Sequence, residues 1–203
     1  MFIHTKDIFN MPEIIPLKKG ELKYFRNFLT MQEADILFSY IKENIVLEQG
    51  NITLFGKTHK IPRLESFHAK QTLSYTYSGK KLISKPFTNE LNHLCEIIEK
   101  ATDAQFNCVL INLYRNGMDS NGWHADNEME LGKNPIIASL SLGVTRRFDL
   151  KNQFENESFS IELHHGDLLL MNNQMQENYK HQIAKSKKIT QERINLTFRK
   201  IKH

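Results

Sequence analysis

In Gly122-Trp-His124-Ala-Asp126-Asn-Glu128 an imidazole and a carboxylate stand two residues apart. Each can give a lone pair to a divalent metal, but a His-x-Asp pair is also an ordinary polar surface turn, so it needs a further ligand. His164 and His165 precede a Gly-Asp turn and read as hairpin residues. His181, in Asn178-Tyr-Lys-His-Gln-Ile183, follows the aspartate after 55 residues (181 − 126) on a strand-like stretch. Two histidines and one carboxylate on one face of iron(II), with open positions opposite, is the ligand set of non-haem oxygenases. Zinc hydrolases use similar ligands, so the set alone leaves the metal open.

A second group lies on Arg193-Ile-Asn-Leu-Thr-Phe-Arg199. Alternate strand residues share a face, so Arg193, Asn195, Thr197 and Arg199 point one way and Ile194, Leu196 and Phe198 the other. The polar side is either a solvated outer surface or an interior wall. Two interior guanidiniums repel unless anions sit beside them, so the inward choice implies a dicarboxylate or a phosphate. A carboxylate-bearing cosubstrate that supplies two electrons is what an iron oxygenase needs, and this favours iron over zinc. Asn112 and Tyr114, two apart in Ile111-Asn-Leu-Tyr, share a strand face in the same way.

Elements that could position these groups are legible in the pattern. Thr30-Met-Gln-Glu33 reads as a helix start, followed by Ala34, Leu37, Phe38, Ile41 and Ile45 at helical spacing. A second helix is expected over 89–101, with Leu91, Leu94, Cys95 and Ile98 on one side. From about Phe106 the period changes to two. Short strands are expected over 107–114, 136–142, 147–150, 158–163, 167–171 and 193–199, separated by Gly-, Asn- and Asp-rich breaks. Helices first and then many antiparallel strands predict an α+β chain ending in a double-stranded β-helix, a jelly roll of the cupin kind. Residues 50–88, with Phe55, Lys57, His59, Lys60, Arg63, Phe67, Tyr75, Tyr77, Lys80 and Lys81, read as β-hairpins laid over its mouth.

The 203 residues predict one domain, with the jelly-roll core over 106–203. At 40% hydrophobic and 25% charged, the composition is that of a globular protein, not a disordered tail. No apolar run approaches the ~20 residues of a membrane span. The N-terminus lacks the apolar core of a secretory signal. Cys95 and Cys108 form no spacing motif and read as reduced structural thiols, so the expected location is the cytoplasm, or a nucleus-like compartment in a eukaryote. The net charge of +4 permits an anionic partner without demonstrating one.

Taken together, His124-x-Asp126, His181, the string RINLTFR and the upstream Asn112-x-Tyr114 resemble the AlkB family of iron(II)/2-oxoglutarate dioxygenases. The likeness extends through Leu54-Phe-Gly-Lys57, Ile61-Pro-Arg63, Ser74-Tyr-Thr-Tyr-Ser-Gly79 and Ser139-Leu-Ser-Leu-Gly143. It runs from about residue 20 to the end and looks most like the DNA-repair branch holding the second and third animal homologues. The resemblance implies that His124, Asp126 and His181 bind Fe(2+) and that 2-oxoglutarate and O2 are consumed. It implies that Arg193, with Tyr114 and Asn195, holds the far carboxylate of 2-oxoglutarate, with Asn112 and Arg199 nearer its C1 carboxylate. Thr197 completes that wall. The implied reaction is oxidative demethylation of bases such as N1-methyladenine and N3-methylcytosine in DNA, releasing formaldehyde, succinate and CO2.

Base chemistry requires the nucleotide to leave the stack. Tyr75 and Tyr77 resemble the positions lining the base pocket, and Phe55 the wedge that fills the gap. Glu128 is placed to favour a cationic ring. Lys57, Lys60, Arg63, Arg146, Lys185, Lys187 and Lys188 are placed to meet phosphates. Asn127 departs from the pattern, since a relative has a second acid there. Alkylated DNA is the expected partner and the chain is expected to act as a monomer, away from membranes. The rivals are an RNA demethylase or protein hydroxylase on the same scaffold, or a nucleic-acid-binding protein without catalysis.

Overall fold

The structure is a computed structural model and describes residues 11–54, 56–77 and 80–202. Thr30 starts the first helix as its sequence predicts. Its hydroxyl accepts the Glu33 N–H at 3.3 Å, while the Glu33 carboxylate accepts the Thr30 N–H at 2.9 Å. The helix that follows, α1 (Met31–Asn44), buries Ala34, Leu37 and Ile41. A second, α2 (Asn89–Thr102), is capped by Thr88 and buries Leu91, Leu94, Cys95, Ile97 and Ile98.

Strands precede and follow these helices: β1 (Glu13–Leu17), β2 (Gly20–Phe25), β3 (Asn51–Leu54), β4 (Lys57–Lys60), β5 (Leu64–Ala69), β6 (Ser74–Tyr77), β7 (Lys80–Ile83) and β8 (Lys85–Pro86). After α2 come β9 (Cys108–Tyr114), β10 (Asn121–His124), β11 (Ile137–Gly143), β12 (Arg146–Asn152), β13 (Ser158–Leu163) and β14 (Leu168–Asn172). The chain then forms a short helix α3 (Met175–Asn178), β15 (Tyr179–Ile183) and β16 (Arg193–Arg199).

The large sheet has the order β1-β2-β14-β11-β16-β9-β5-β8, and a smaller one the order β10-β15-β12-β13. The two form the double-sheet jelly roll. One face of the large sheet sends Val109, Ile111, Ala138, Leu140, Ile194 and Leu196 into a core shared with both helices. The other face shares a second core with the small sheet, through Leu110, Ile137, Leu169, Phe148, Leu150 and Ile161. All seven residues of β16 are buried, because it runs between β11 and β9 with cores on both sides. Its polar side is therefore an interior wall and not an outer surface.

Two expectations are corrected. The helices do not come first among the described residues: β1 and β2 precede them, and β2 pairs with β14. Pro16 and the mostly exposed pattern of Glu13–Leu17 hid an edge strand, where a missing N–H is tolerated. Nor is 50–88 wholly a covering of hairpins. The pairs β3–β4 and β6–β7 are hairpins, but β5 lies inside the large sheet, paired to β9 over six residues. Its polar letters disguised it. His68 and Ser66 are buried and satisfy one another at 3.0 Å, while His68 Nδ1 meets the Pro86 carbonyl at 2.9 Å.

Two loops beside the site are locked together. The Gly117 N–H donates to the Ile189 carbonyl at 2.8 Å, and the Ser186 N–H donates to the Gly117 carbonyl at 2.7 Å. From within, the buried Arg146 guanidinium donates to the carbonyls of Asn116, Asp119 and Ala184 at 3.3, 3.0 and 2.8 Å. A Cβ on Gly117 would stand 1.9 Å from the Ser186 carbonyl oxygen. Gly117→Ala should therefore force the loops apart and lower the unfolding free energy by about 1–3 kcal/mol, the usual range for overpacking. Urea unfolding of the two chains measures it, and superimposable curves would show that the loops yield freely.

Candidate metal centre

His124 ends β10 and lies directly across from His181 on β15. Their rings are 4.2 Å apart, and the Phe148 ring packs 5.1 Å from that of His181. Asp126 lies two residues past the end of β10 and is 1% exposed. One ligand atom from each of His124, Asp126 and His181 falls within 4.8 Å of the others. Among the described residues, this is the group of three or more such side chains gathered closely enough to hold an ion.

Hydrogen bonds prepare each ligand. His124 Nδ1 donates to the Gly122 carbonyl at 2.7 Å, which fixes the tautomer and leaves the Nε2 lone pair for a cation. In this structure that lone pair accepts from the Asn121 amide at 3.1 Å. Arg199 Nη2 donates to Asp126 Oδ1 at 2.7 Å, while Oδ2 stands 3.9 Å from His181 Nε2. One carboxylate oxygen is thus committed to the arginine and the other turns toward the histidines. Burial pushes the Asp126 carboxyl up, but Arg199 and the two histidines more than offset it and hold it at about 2. Burial lowers His181 to about 3, so its imidazole is neutral, as a metal ligand must be. His181 Nδ1 is buried with no hydrogen-bond partner.

Beyond the triad, the β16 wall continues the same cavity. Strand pairing sets Arg193 opposite Tyr114 and Asn195 opposite Asn112. Together with Thr197 and Arg199, these line one cavity with His124, Asp126 and His181. Arg193 is 1% exposed; its Nη2 donates to Ser141 Oγ at 2.9 Å, and its Nε and Nη1 have no hydrogen-bond partner. Burial first of all, with Arg146 nearby, lowers its pKa to about 10. Asn195 is held by Ser139 Oγ at 2.8 Å, and Thr197 donates to Asn195 Oδ1 at 3.0 Å. A buried guanidinium with two nitrogens lacking hydrogen-bond partners, in the lining of the same cavity, fits a carboxylate. The triad fits a divalent cation. The donors present therefore suit iron(II) and an organic acid.

Sequence reading brought all nine of these residues to one place. It missed Ser139 and Ser141, whose period-two spacing in Ser-Leu-Ser-Leu was the available signal, and Phe148, which carried none. Two expected phosphate contacts are corrected. Arg146 is 1% exposed and spent on backbone carbonyls. Arg63 is 6% exposed, with Nε donating to Asn112 Oδ1 at 2.9 Å and Nη2 lying 4.0 Å from Glu65. It braces the cavity wall from behind. Glu128 is half-buried two residues beyond Asp126. Tyr75 and Tyr77 lie on β6, with side chains outside what the structure describes, and Phe55 lies outside the described residues.

Residues 21–199 match the model of the 2OG-Fe(II) oxygenase superfamily. The chain is 34% identical over 180 residues to the DNA oxidative demethylase ALKBH2 of Homo sapiens, covering 83% of this chain and 69% of that protein. It is 35% identical over 187 residues to the alpha-ketoglutarate-dependent dioxygenase alkB homolog 3 of Homo sapiens, covering 87% and 65%. The chain spans about two thirds of the length of the curated relatives it matches. In fold it is similar to the solved structure of OsALKBH1, with a TM-score of 0.65 at 18% identity over 93% of this chain and 100% of that one. The chain belongs to the AlkB family within the 2OG-Fe(II) oxygenase superfamily. As in that superfamily, iron(II), 2-oxoglutarate and O2 are its cofactor and cosubstrates.

A gathered triad should bind a redox-inert stand-in as well. Mn(II) at one hundred times its dissociation constant should raise the unfolding free energy by about 2.7 kcal/mol. In His181→Ala the rise should vanish. A His181→Ala chain stabilised as much as the parent would show that the ion binds elsewhere.

Proposed function

We propose that the chain is an oxidative demethylase of N-alkylated bases in DNA, a direct-reversal repair enzyme. The carrying observation is that a two-histidine, one-carboxylate triad and a buried guanidinium with idle donors line one cavity. The names of the relatives support the choice of substrate: ALKBH2 is a DNA oxidative demethylase.

In this reading His124, Asp126 and His181 hold iron(II). Iron(II), 2-oxoglutarate and O2 together supply the oxidising power that hydroxylates an N-methyl carbon, which then leaves as formaldehyde. The chain's own residues bind and orient. Arg193, flanked by Tyr114 and Asn195, receives the far carboxylate of 2-oxoglutarate in a bidentate fork, so the cosubstrate has one orientation before the reaction begins. Asn112, Thr197 and Arg199 complete the wall around its nearer end. Arg199 has a second task, since its bond to Asp126 Oδ1 leaves one oxygen of that carboxylate for the metal.

Glu128, beyond Asp126, favours a cationic ring such as that of N1-methyladenine or N3-methylcytosine. The hairpins β3–β4 and β6–β7 serve as the nucleotide-recognition lid, with Tyr75 and Tyr77 as base-pocket walls and Phe55 as the wedge. Lys185, Lys187 and Lys188, on the loop bound to Gly117, are the phosphate contacts. The enzyme acts as a monomer in the cytoplasm, or in the nucleus of a eukaryote. No described helix is long and apolar enough to cross a membrane.

The deciding experiment loads the protein anaerobically with iron(II) and 2-oxoglutarate, admits O2, and follows methylated DNA and RNA oligonucleotides in parallel by mass spectrometry. Faster loss of methyl groups from RNA would replace DNA by RNA as substrate. In the same assay Asp126→Ala should abolish turnover. Arg193→Ala should raise the 2-oxoglutarate requirement roughly ten- to a hundredfold, the loss of a charge-assisted bond of about 1.5–3 kcal/mol. Arg193→Lys should recover only part, because an ammonium cannot reproduce the planar fork. Matching cosubstrate titrations for parent and Arg193→Ala would remove Arg193 from the cosubstrate site.

Phe55 separates duplex from single-strand action. A duplex loses stacking when its base swings out, whereas a single strand has no partner base to abandon. Phe55→Ala should depress repair of a methylated duplex about tenfold more than repair of the same single strand, if lost stacking is worth about 1–3 kcal/mol. Equal losses on both strands would make Phe55 a packing residue or a general strand contact, which its melting temperature would tell apart.

A further inference from the structure

Gln176 is 0% exposed, an uncommon place for an amide, and neither the triad nor the cosubstrate wall accounts for it. It lies on α3, five residues before His181 in the chain (181 − 176). Its Oε1 accepts the backbone N–H of Asp126 at 2.8 Å, and its Nε2 donates to the Met171 sulfur at 3.5 Å. Met171 lines the same cavity as the triad. Both ends of this one side chain therefore terminate on residues of the site.

Why Asp126 needs this partner follows from the strand pairing. Pairing of β10 to β15 stops at His124↔His181, with an irregularity between Asn121 and His124. Asp126 is past the end of the ladder, yet buried. A buried N–H with no ladder partner carries a desolvation penalty unless an acceptor is supplied. Gln176 supplies it. Arg199 restrains the tip of the Asp126 side chain through Oδ1, while Gln176 restrains its root through the backbone. The histidine and the aspartate on one segment are thereby fastened, by a side chain, to the segment that brings in the other histidine.

We propose that Gln176 is a positioning residue for the metal centre, holding Asp126 at the fixed distance from His181 that iron(II) and 2-oxoglutarate chelation require. This rests on the reading of His124, Asp126 and His181 as the iron ligands. Groups that orient ligands without touching the metal typically change its affinity about 10–100-fold when removed.

The test is an anaerobic titration of the metal-free full chain with iron(II), then with 2-oxoglutarate, in the parent and in Gln176→Leu, Gln176→Asn and Gln176→Glu. Two quantities are read besides melting temperature: the iron(II) dissociation constant, and the visible charge-transfer band that appears when 2-oxoglutarate chelates the bound iron. Gln176→Leu fills the space without an acceptor, and Gln176→Asn keeps the amide but shortens its reach. Each should weaken iron(II) at least about tenfold and diminish or shift the band. Gln176→Glu keeps an acceptor oxygen at the same reach and should bind iron(II) closer to the parent than either. If Gln176→Leu does not fold, the Asn and Glu chains alone decide the question. Parent-like affinity and band in Gln176→Asn or Gln176→Leu, with only the melting temperature lowered, would reduce Gln176 to a packing residue. Glu binding no tighter than Asn would do the same. A parent chain that binds no iron(II) would overturn the metal reading itself, a result distinguishable from either.

Discussion

The pairing of Asp126 with Arg199 is the contact on which the rest of the site depends. A carboxylate at 1% exposure is sustainable only with a partner, and the guanidinium at 2.7 Å provides it. Arg199 ends β16 and Asp126 lies just past β10, so the pair joins the large sheet to the small one beside the triad. It also fixes direction along β16. With Arg199 at the triad, the two-residue repeat places Thr197, Asn195 and Arg193 at increasing distance along one wall. An elongated diacid chelated at one end can then be received at the other. The electrostatics run the same way: the Arg199 guanidinium keeps Asp126 ionised, while burial keeps His181 neutral.

Support for this arrangement comes from groups that make no direct approach to the cavity centre. Arg63 holds Asn112, Ser139 holds Asn195, and Ser141 takes one nitrogen of Arg193 and leaves two idle. Arg146 stands 5.6 Å from the Tyr114 ring, with Arg193 5.5 Å from it, and draws in both loops that border that end.

Much of this was legible in the letters. Alternation in RINLTFR gave β16 its two faces, and Thr30 with Glu33 gave the start of α1. The triad was readable because two histidines and a carboxylate form a known ligand set, and because RINLTFR beside them resembles a family in which those positions bind iron. What stayed hidden had local chemistry that argued against its place. Pro16 disguised β1, and Glu65, Ser66 and His68 made an interior strand look like part of the covering hairpins. Arg63 and Arg146 read as surface charges because a sequence does not show which guanidinium will find carbonyls or an amide indoors. Gln176 gave no signal, since its worth depends on an N–H fifty residues away (176 − 126) that pairing leaves unmet.

The alternation on β16 leaves two kinds of evolutionary constraint on one strand. Ile194, Leu196 and Phe198 face a helix-backed core, where volume matters more than identity and Leu, Ile, Val or Met exchange at small penalty. Arg193, Asn195, Thr197 and Arg199 face the cavity, where a particular pattern of donors is required. Drift along this strand should therefore be periodic, free at one residue and frozen at the next. Such a strand can retune its stability by exchanging hydrocarbons on the far side while its chemistry stands still. A lineage moving to a hotter or colder habitat would find its adjustments there, and leave the cavity side unaltered.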